Sequence, residues 1–428
     1  MQTLITIIKQ KILLLAKSLS LLGLALAQVG FAAEISVENN LKVLTQHSDN
    51  IELTPENEKS LQGRTVRPSI VTKIADGTWD TSLSVDLSFN NFNRSEYDSD
   101  DQFVTLSANK RTERQQFGLI VNATRDSTRT SEQDTSGVVS NSAIRREVYA
   151  VSPRWSYNLS EKTYISADAR ISETEYKSQR FTNYDYDSLS LSVNRFINDK
   201  FRFTVQLRGT DYQPDERVTN YFNFFDLGTK SESKSYGAEI GGEYTFNEKW
   251  TVNGLVGSTY TDQEYTIRDP QGACDIPNPD FVPQACDIED FSGSSLTADV
   301  SANWTGEQNE LTMSYSINNQ PSSQGYEVEY ERYQFNWRYK HSDRSTWIST
   351  LKYGSNNAVD TSAASIDPRN NNRDFGSVDL SYVHRLTKTI NLNMRYGYRW
   401  QDRELSIDSA ESDTISLGIN YTPTKSIW

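Results

Sequence analysis

The chain has 428 residues, a net charge of -14 and a hydrophobic fraction of 36%. That fraction lies below the roughly 45–50% of soluble domains (a class that also counts Gly), which excludes a large closed apolar core. The acidic balance excludes nucleic acid as a partner. Aromatics make up 11%, with 23 tyrosines against three methionines, a mixture that suits a polar lumen, aromatic girdles and an apolar outer band.

Residues 1–27 read as a cleaved signal peptide. Lys9, Lys11 and Lys17 precede the apolar stretch Leu19–Leu26, and Ala25-Leu26-Ala27 is an A-x-A cleavage site before Gln28. Gly30-Phe31-Ala32 is a second candidate, which would move cleavage as late as residue 33. A retained anchor is the other reading, but the apolar run is shorter than the about 20 residues a membrane helix needs. The expectation is an exported chain with one domain, 34–428, in the outer membrane of a Gram-negative cell.

From there on the chain alternates. Phe201, Phe203, Val205 and Leu207 oppose Arg202, Thr204, Gln206 and Arg208, and Tyr333, Phe335, Trp337 and Tyr339 oppose Gln334, Asn336, Arg338 and Lys340. In Ile390–Trp400, Met394, Tyr396 and Tyr398 share one face and Arg395 and Arg399 the other. Successive side chains of a strand point to opposite sides, so each run is a strand wet on one face and apolar on the other. Many runs reach ten residues, whereas soluble strands average about five or six and a tilted membrane strand needs roughly 9–11.

Tight polar turns punctuate the runs at Ala75-Asp-Gly77, Lys110–Arg114, Asn158–Thr163, Ile197–Phe201, Phe246–Trp250, Thr305–Asn309, His341–Ser345 and Leu386–Thr389. Longer polar connections lie between them, at 90–102, 126–145, 173–187, 210–234, 261–294, 318–326, 354–373 and 402–413. Short turns alternating with long loops are the rhythm of an outer-membrane barrel, short on the periplasmic side and long outside. Seventeen runs begin at Val66, and a weaker strand within Ile35–Thr45 restores an even count. The expected fold is therefore an all-β, transmembrane, antiparallel up-and-down barrel of 18 strands. Sixteen is the alternative, with residues up to Ile74 as an extension.

Charges facing lipid cost about 2–4 kcal/mol each at the midplane, so charged positions on the alternating runs belong to the lumen. The principal ones are Arg170, Arg202, Arg208, Arg338, Arg395 and Arg399, with Asp168, Glu239, Glu243 and Asp299 as the anions. A basic excess would favour anionic solutes or acidic polymers. Mutual neutralisation across the wall is the alternative. The loop aromatics Tyr221, Phe222, Phe224 and Phe225 either pack among external loops, stack on sugars or fold into the mouth. Cys274 and Cys286, in a Pro- and Asp-rich loop of an exported chain, read as one local disulfide. No metal site or cofactor is expected. His341 and His384 fall at periplasmic turns, and no HExxH, GxSxG, Walker or dinucleotide motif is present, which argues against an enzyme.

The segments SDNIELTPEN at 48–57, RPSIV at 67–71, RDSTRTSE at 125–132, SPRWSYNLSEKTYI at 152–165 and YDYDSLSLSVN at 184–194 resemble the outer-membrane β-barrel porins associated with exopolysaccharide systems. The resemblance implies a pore-like or export-associated role, with no catalytic residues. Trp428 resembles the C-terminal aromatic that the barrel-assembly machinery reads, although Pro423 interrupts the alternation just before it. Two functions stand open. One is a water-filled conduit for small hydrophilic solutes or an extracellular polysaccharide. The other is a plugged barrel whose long loops bind surface partners. Outer-membrane lipid and lipopolysaccharide are the expected surroundings of either.

Overall fold

The computed structural model describes residues 34–428 apart from 129–143, 180, 222–224, 271, 273, 275–285, 287–289, 360–371, 404–408, 424–425 and 428. The expected signal segment and Trp428 lie outside the described residues. Nine strands come first: β1 (Glu34–Ser48), β2 (Leu61–Ala75), β3 (Trp79–Phe92), β4 (Ser99–Arg111), β5 (Gln115–Ser127), β6 (Arg145–Asn158), β7 (Thr163–Tyr176), β8 (Tyr184–Asn198) and β9 (Phe201–Pro214). A short β10 (Arg217–Tyr221) leads into β11 (Phe225–Asn247) and β12 (Trp250–Arg268). Then follow β13 (Phe291–Thr305), β14 (Asn309–Pro321), β15 (Glu327–Ser342), β16 (Ser345–Ala358), β17 (Arg373–Arg385), β18 (Ile390–Arg403), β19 (Ala410–Tyr421) and β20 (Ser426–Ile427).

Neighbours in sequence pair antiparallel, β9 pairs directly with β11, and β1 pairs with β19 from Leu41↔Tyr421 to Ser48↔Thr414, which closes the sheet on itself. Because β10 pairs, among the described strands, only with β11, as a hairpin arm at the long-loop end, the wall is a closed 18-strand antiparallel barrel. The weak first strand exists and is longer than expected, so the sixteen-strand alternative falls. β20 also joins β1, at Ser36↔Ile427 and Val37↔Ser426, one residue out of register with β19. Pro423, with no amide hydrogen to give the ladder, sits in that break.

The short turns are built by one device. Asp76 accepts the amides of Thr78 (3.0 Å) and Trp79 (2.7 Å) on its carboxylate, while Gly77 takes φ +86°. Asn198 accepts from Lys200 and Phe201, both at 2.9 Å, and Asn247 from Lys249 (2.9 Å) and Trp250 (3.0 Å). These side chains satisfy amides that the chain reversal takes out of the ladder, which is why Asp and Asn recur there. The amides of Trp79 and Thr78 hold the Asp76 carboxyl below its usual range. A depressed folded pKa contributes stability above the unfolded value and loses it as pH falls through the folded one. Asp76→Ala is therefore expected to unfold more readily than the parent at neutral pH. The two should converge as pH falls through the depressed folded pKa of Asp76, a comparison made by denaturant titration at neutral and at strongly acidic pH.

Two of the expected long loops are in good part strand. β11 begins at Phe225 and β12 runs to Arg268, so the wall rises well above its neighbours where 210–234 and 261–294 were expected as loops. Outside the hydrocarbon both faces of a strand meet water. The apolar alternation then vanishes while the hydrogen-bonded ladder continues, which hides the strand from pattern reading.

The outer face carries an apolar belt that includes Ile171, Leu207, Ile240 and Ile415, each more than half exposed. Trp79, Trp155, Trp250, Trp304, Trp337 and Trp347 border it next to the short turns. Tyrosines border it at the other end, where Tyr396 donates to Asp413 (2.6 Å) and Tyr333 to Glu331 (2.9 Å). Phenol hydroxyls reaching outward-facing carboxylates mark where hydrocarbon gives way to the polar interface. Leu207→Arg, within the belt, is expected to cost about 2–4 kcal/mol of unfolding free energy in lipid. Gln206→Arg next to it, on the lumen face beside Glu239, should cost far less.

One seam of the wall opens at the long-loop end, while β15 keeps its pairing with β16 as far as Val328↔Ala358. β14 pairs with β13 only from Ala298↔Ile317 to Thr305↔Glu310, while it stays paired with β15 up to Pro321↔Glu327. The β14–β15 hairpin bends inward above Ile317. Its tip is buried: Ser322 and Ser323 have no exposed surface, and Tyr326, Glu327 and Val328 are nearly as covered. Among the described strands, none pairs with the β13 edge that this departure leaves at Phe291–Thr297.

Candidate functional site: a lumen crossed by a hairpin

The hairpin tip is held by inner-face groups from distant strands. Tyr212 of β9, fully buried, donates its hydroxyl to the Ser322 carbonyl at 2.9 Å, and the Thr182 amide of the β7–β8 connection donates to the Ser323 carbonyl at 2.8 Å. Ser233 of β11 donates to Glu327 Oε2 at 2.8 Å, and Asn319 donates to Thr261 Oγ1 of β12 at 3.1 Å. Tyr326 and Val328 form an apolar cluster with Tyr265 of β12 and Ala358 of β16. The tip therefore reaches across the inside of the wall and constricts the barrel near its open end.

The inner face below it has two unlike sides. On β15–β18, β1 and β2, a cavity of about 380 Å³ is lined by Lys42, Arg67, Arg332, Lys352, Arg395 and Arg399, against Asp379 as its single anion. Asp379 is engaged by Arg395, Nε to Oδ1 at 2.8 Å. On the opposite side, β7–β9 and β11–β14 line a cavity of about 350 Å³ with Asp168, Glu239 and Asp299 against Arg202 and Arg208. There the charges pair: Arg202 with Glu243 and Arg154 with Asp168, both at 3.1 Å, while Gln206 donates to Glu239 at 3.0 Å.

Of the ten charges that the alternation assigns to the lumen, Arg395 and Arg399 line the first cavity and Asp168, Arg202, Arg208, Glu239 and Asp299 the second. Neutralisation holds for Asp168, Arg202 and Glu243, and a basic excess holds around Arg395 and Arg399. Arg338 is paired with Glu310 at 3.7 Å, close to the short turns. Arg170 lies inward on β7, beside Ser188 in the ladder. Phe222 and Phe224 lie outside the described residues, and Tyr221 and Phe225 close the β10–β11 hairpin as a ladder pair. Cys274 and Cys286 are joined, with Sγ atoms 2.07 Å apart.

Sequence reasoning passed over Lys42, which sits in the weak first strand, and Arg332. It also filed 318–326 among the outer loops. A signal existed: that segment, NNQPSSQGY, is the one long connection of the eight without a charged residue. A connection bound for the inside of a barrel must do without charges it cannot pair.

Ser345 and His384, 2.9 Å apart, form the nearest approach to a nucleophile–base pair. They lie at the short-turn end on the outward face, where the ring of His384 stacks on Tyr382.

Closed wall, apolar belt, polar lumen and inward constriction together define a transmembrane β-barrel with a constricted aqueous interior. No family profile matches the chain, and no curated protein does. Among solved structures, it is similar to Acinetobacter baumannii OccAB3 (9% identity, 92% of this chain and 99% of that one, TM-score 0.43). It is also similar to Pseudomonas aeruginosa OccK2 (OpdF) in complex with glucuronate (9% identity, 91% and 97%, TM-score 0.45) and to A. baumannii OccAB2 (12% identity, 91% and 98%, TM-score 0.43). The architecture described above stands on the strand pairing of this chain itself.

Proposed function

We propose that this protein is a porin-like channel of the Gram-negative outer membrane that passes small hydrophilic solutes and prefers anions. The observation that carries the reading is the cavity lined by six cationic side chains and one carboxylate, which includes Tyr330 and Arg332 of the hairpin strand β15. Charges held inside a low-dielectric wall act over longer distances than in bulk water, so such a one-sided cluster enriches anions in the lumen and repels cations. The belt and girdles support the membrane location, and lipopolysaccharide would then surround the Tyr-rich end. The inward hairpin favours small solutes over an exopolysaccharide, because a polymer would need it displaced. Reconstitution in planar bilayers tests the reading: discrete conductance steps with a reversal potential favouring chloride in a KCl gradient are expected. Absence of conductance in the parent and in a variant lacking the hairpin would instead favour a plugged barrel acting through its surface loops.

A further inference from the structure

The cations of the basic cavity are not spread evenly over it. Strand register sets Lys352 of β16 level with Ser377 of β17, and Ser377 level with Arg399 of β18. The three stand in one hydrogen-bonded row, and all line the same cavity. Neighbouring strands lie about 4.8 Å apart, so the two cationic side chains start one strand spacing to either side of the serine. Gln334 of β15 continues the row beyond Lys352. Arg332, two residues nearer the long-loop end of β15, donates from Nη2 to Gln334 Oε1, which draws its guanidinium down to the same level.

The borders of this row suit an anion. On the short-turn side lie Gly397, which adds no side chain, and Asp379, the one carboxylate of the lining. Arg395 holds that carboxylate, Nε to Oδ1 at 2.8 Å, so it does not oppose an incoming anion with its full charge. On the long-loop side, the Phe375 ring covers the inner face of Gly354 and stacks on Tyr330, with centroids 6.0 Å apart. These rings keep one flank of the row dry, and charges attract more strongly beside matter of low dielectric. Ser377, Lys352, Arg399 and Arg332 are only half-buried, so an entering anion keeps part of its water.

We propose that this row binds a phosphate group, free or esterified to a small organic solute. As a statement about cargo the inference rests on the channel reading, and it names the class of anion favoured. A carboxylate offers two coplanar oxygens and one charge. A phosphate monoester offers three terminal oxygens and close to two charges at neutral pH. Arg399 and Arg332 carry the planar fork that meets two such oxygens, Lys352 supplies a point charge, and Ser377 donates a hydroxyl. Six cations against a single carboxylate also leave a surplus that one monovalent anion cannot offset.

Calorimetric titration of the purified full barrel in detergent, at constant chloride, tests the site without any conductance. Saturable binding of inorganic phosphate or phenyl phosphate is expected, at least about tenfold tighter than that of acetate. The tighter of the two phosphates tells whether the free ion or an ester is the ligand. Affinity should fall between about pH 7.5 and about pH 5, through the second phosphate ionisation, while sulfate keeps its affinity. Lys352→Gln and Arg399→Gln should each weaken phosphate binding at least about tenfold. Arg67→Gln removes a cation of the same cavity three strands from Arg399, and should change it less than about twofold at physiological salt. Mobility of unheated and boiled samples reports that each variant has assembled. Equal losses from Arg67→Gln and Arg399→Gln would replace the site by diffuse charge, and acetate binding as tightly as phosphate would overturn the ligand class. A barrel that binds phosphate but passes no current would end the channel reading and leave the site standing. An anion-selective barrel that binds no phosphate would do the reverse.

Discussion

Replacing residues 319–329 by a two-residue Asn-Gly turn is expected to raise single-channel conductance severalfold while leaving a folded barrel. The ladder dictates the splice. Asn318 and Tyr330 are direct partners across β14 and β15, so a type I′ turn joins them without changing register. The hairpin tip, buried against Tyr212, Thr182 and the β11–β12 wall, occupies space that water and ions would take in its absence. The wall loses few ladder bonds, since β13 already ends its pairing with β14 at Ala298↔Ile317. Electrophoretic mobility of unheated and boiled samples reports whether the barrel assembled. A conductance equal to that of the parent would show that the narrowest point lies elsewhere.

The second large effect is expected from charge. Arg332→Glu, Lys352→Glu and Arg399→Glu, combined in one variant, turn the cationic cavity into an acidic one without touching the Arg395–Asp379 pair. Each substitution changes the local charge by two, and unit charges 4 Å apart interact by about 4 kcal/mol at an effective dielectric near 20. The reversal potential in a KCl gradient is expected to change sign, from anion-favouring to cation-favouring. Arg202→Gln on the opposite side, where charges are already paired with Glu243, should shift it little. Equal responses from the two sides would place the selectivity step outside the basic cavity.

Most of the architecture was legible because a barrel in lipid imposes a period of two on every strand. Arg208 and Asp299, which line one of the cavities, could be assigned to the lumen from their apolar neighbours alone, and the turns at Asp76, Asn198 and Asn247 announced themselves by chemistry. Illegible parts were those where the constraint lapses. Above the membrane β11 and β12 continue as strands with no pattern to betray them. The direction of a loop, outward or into the lumen, is decided by tertiary contacts such as Tyr212 with Ser322, which no local pattern encodes. The division of the lumen into a paired half and a basic half likewise depends on which strands end up facing one another, and that needs the closure of β1 on β19. Glu327 reads in sequence as one more polar rim residue, Glu-Val-Glu-Tyr-Glu, and its burial is visible only once the hairpin has turned inward.

The departure of β14 from β13 also has a mechanical meaning. A closed barrel resists opening because every strand is zipped along both sides, and a crack has nowhere to start. Here one side of Phe291–Thr297 lacks its zipper, so the cylinder carries a built-in notch. Under denaturant or lateral membrane tension, separation should begin at that notch and run down the β13–β14 line toward Thr305. The backbone amides on that free edge should trade hydrogen for deuterium well before their counterparts facing β12.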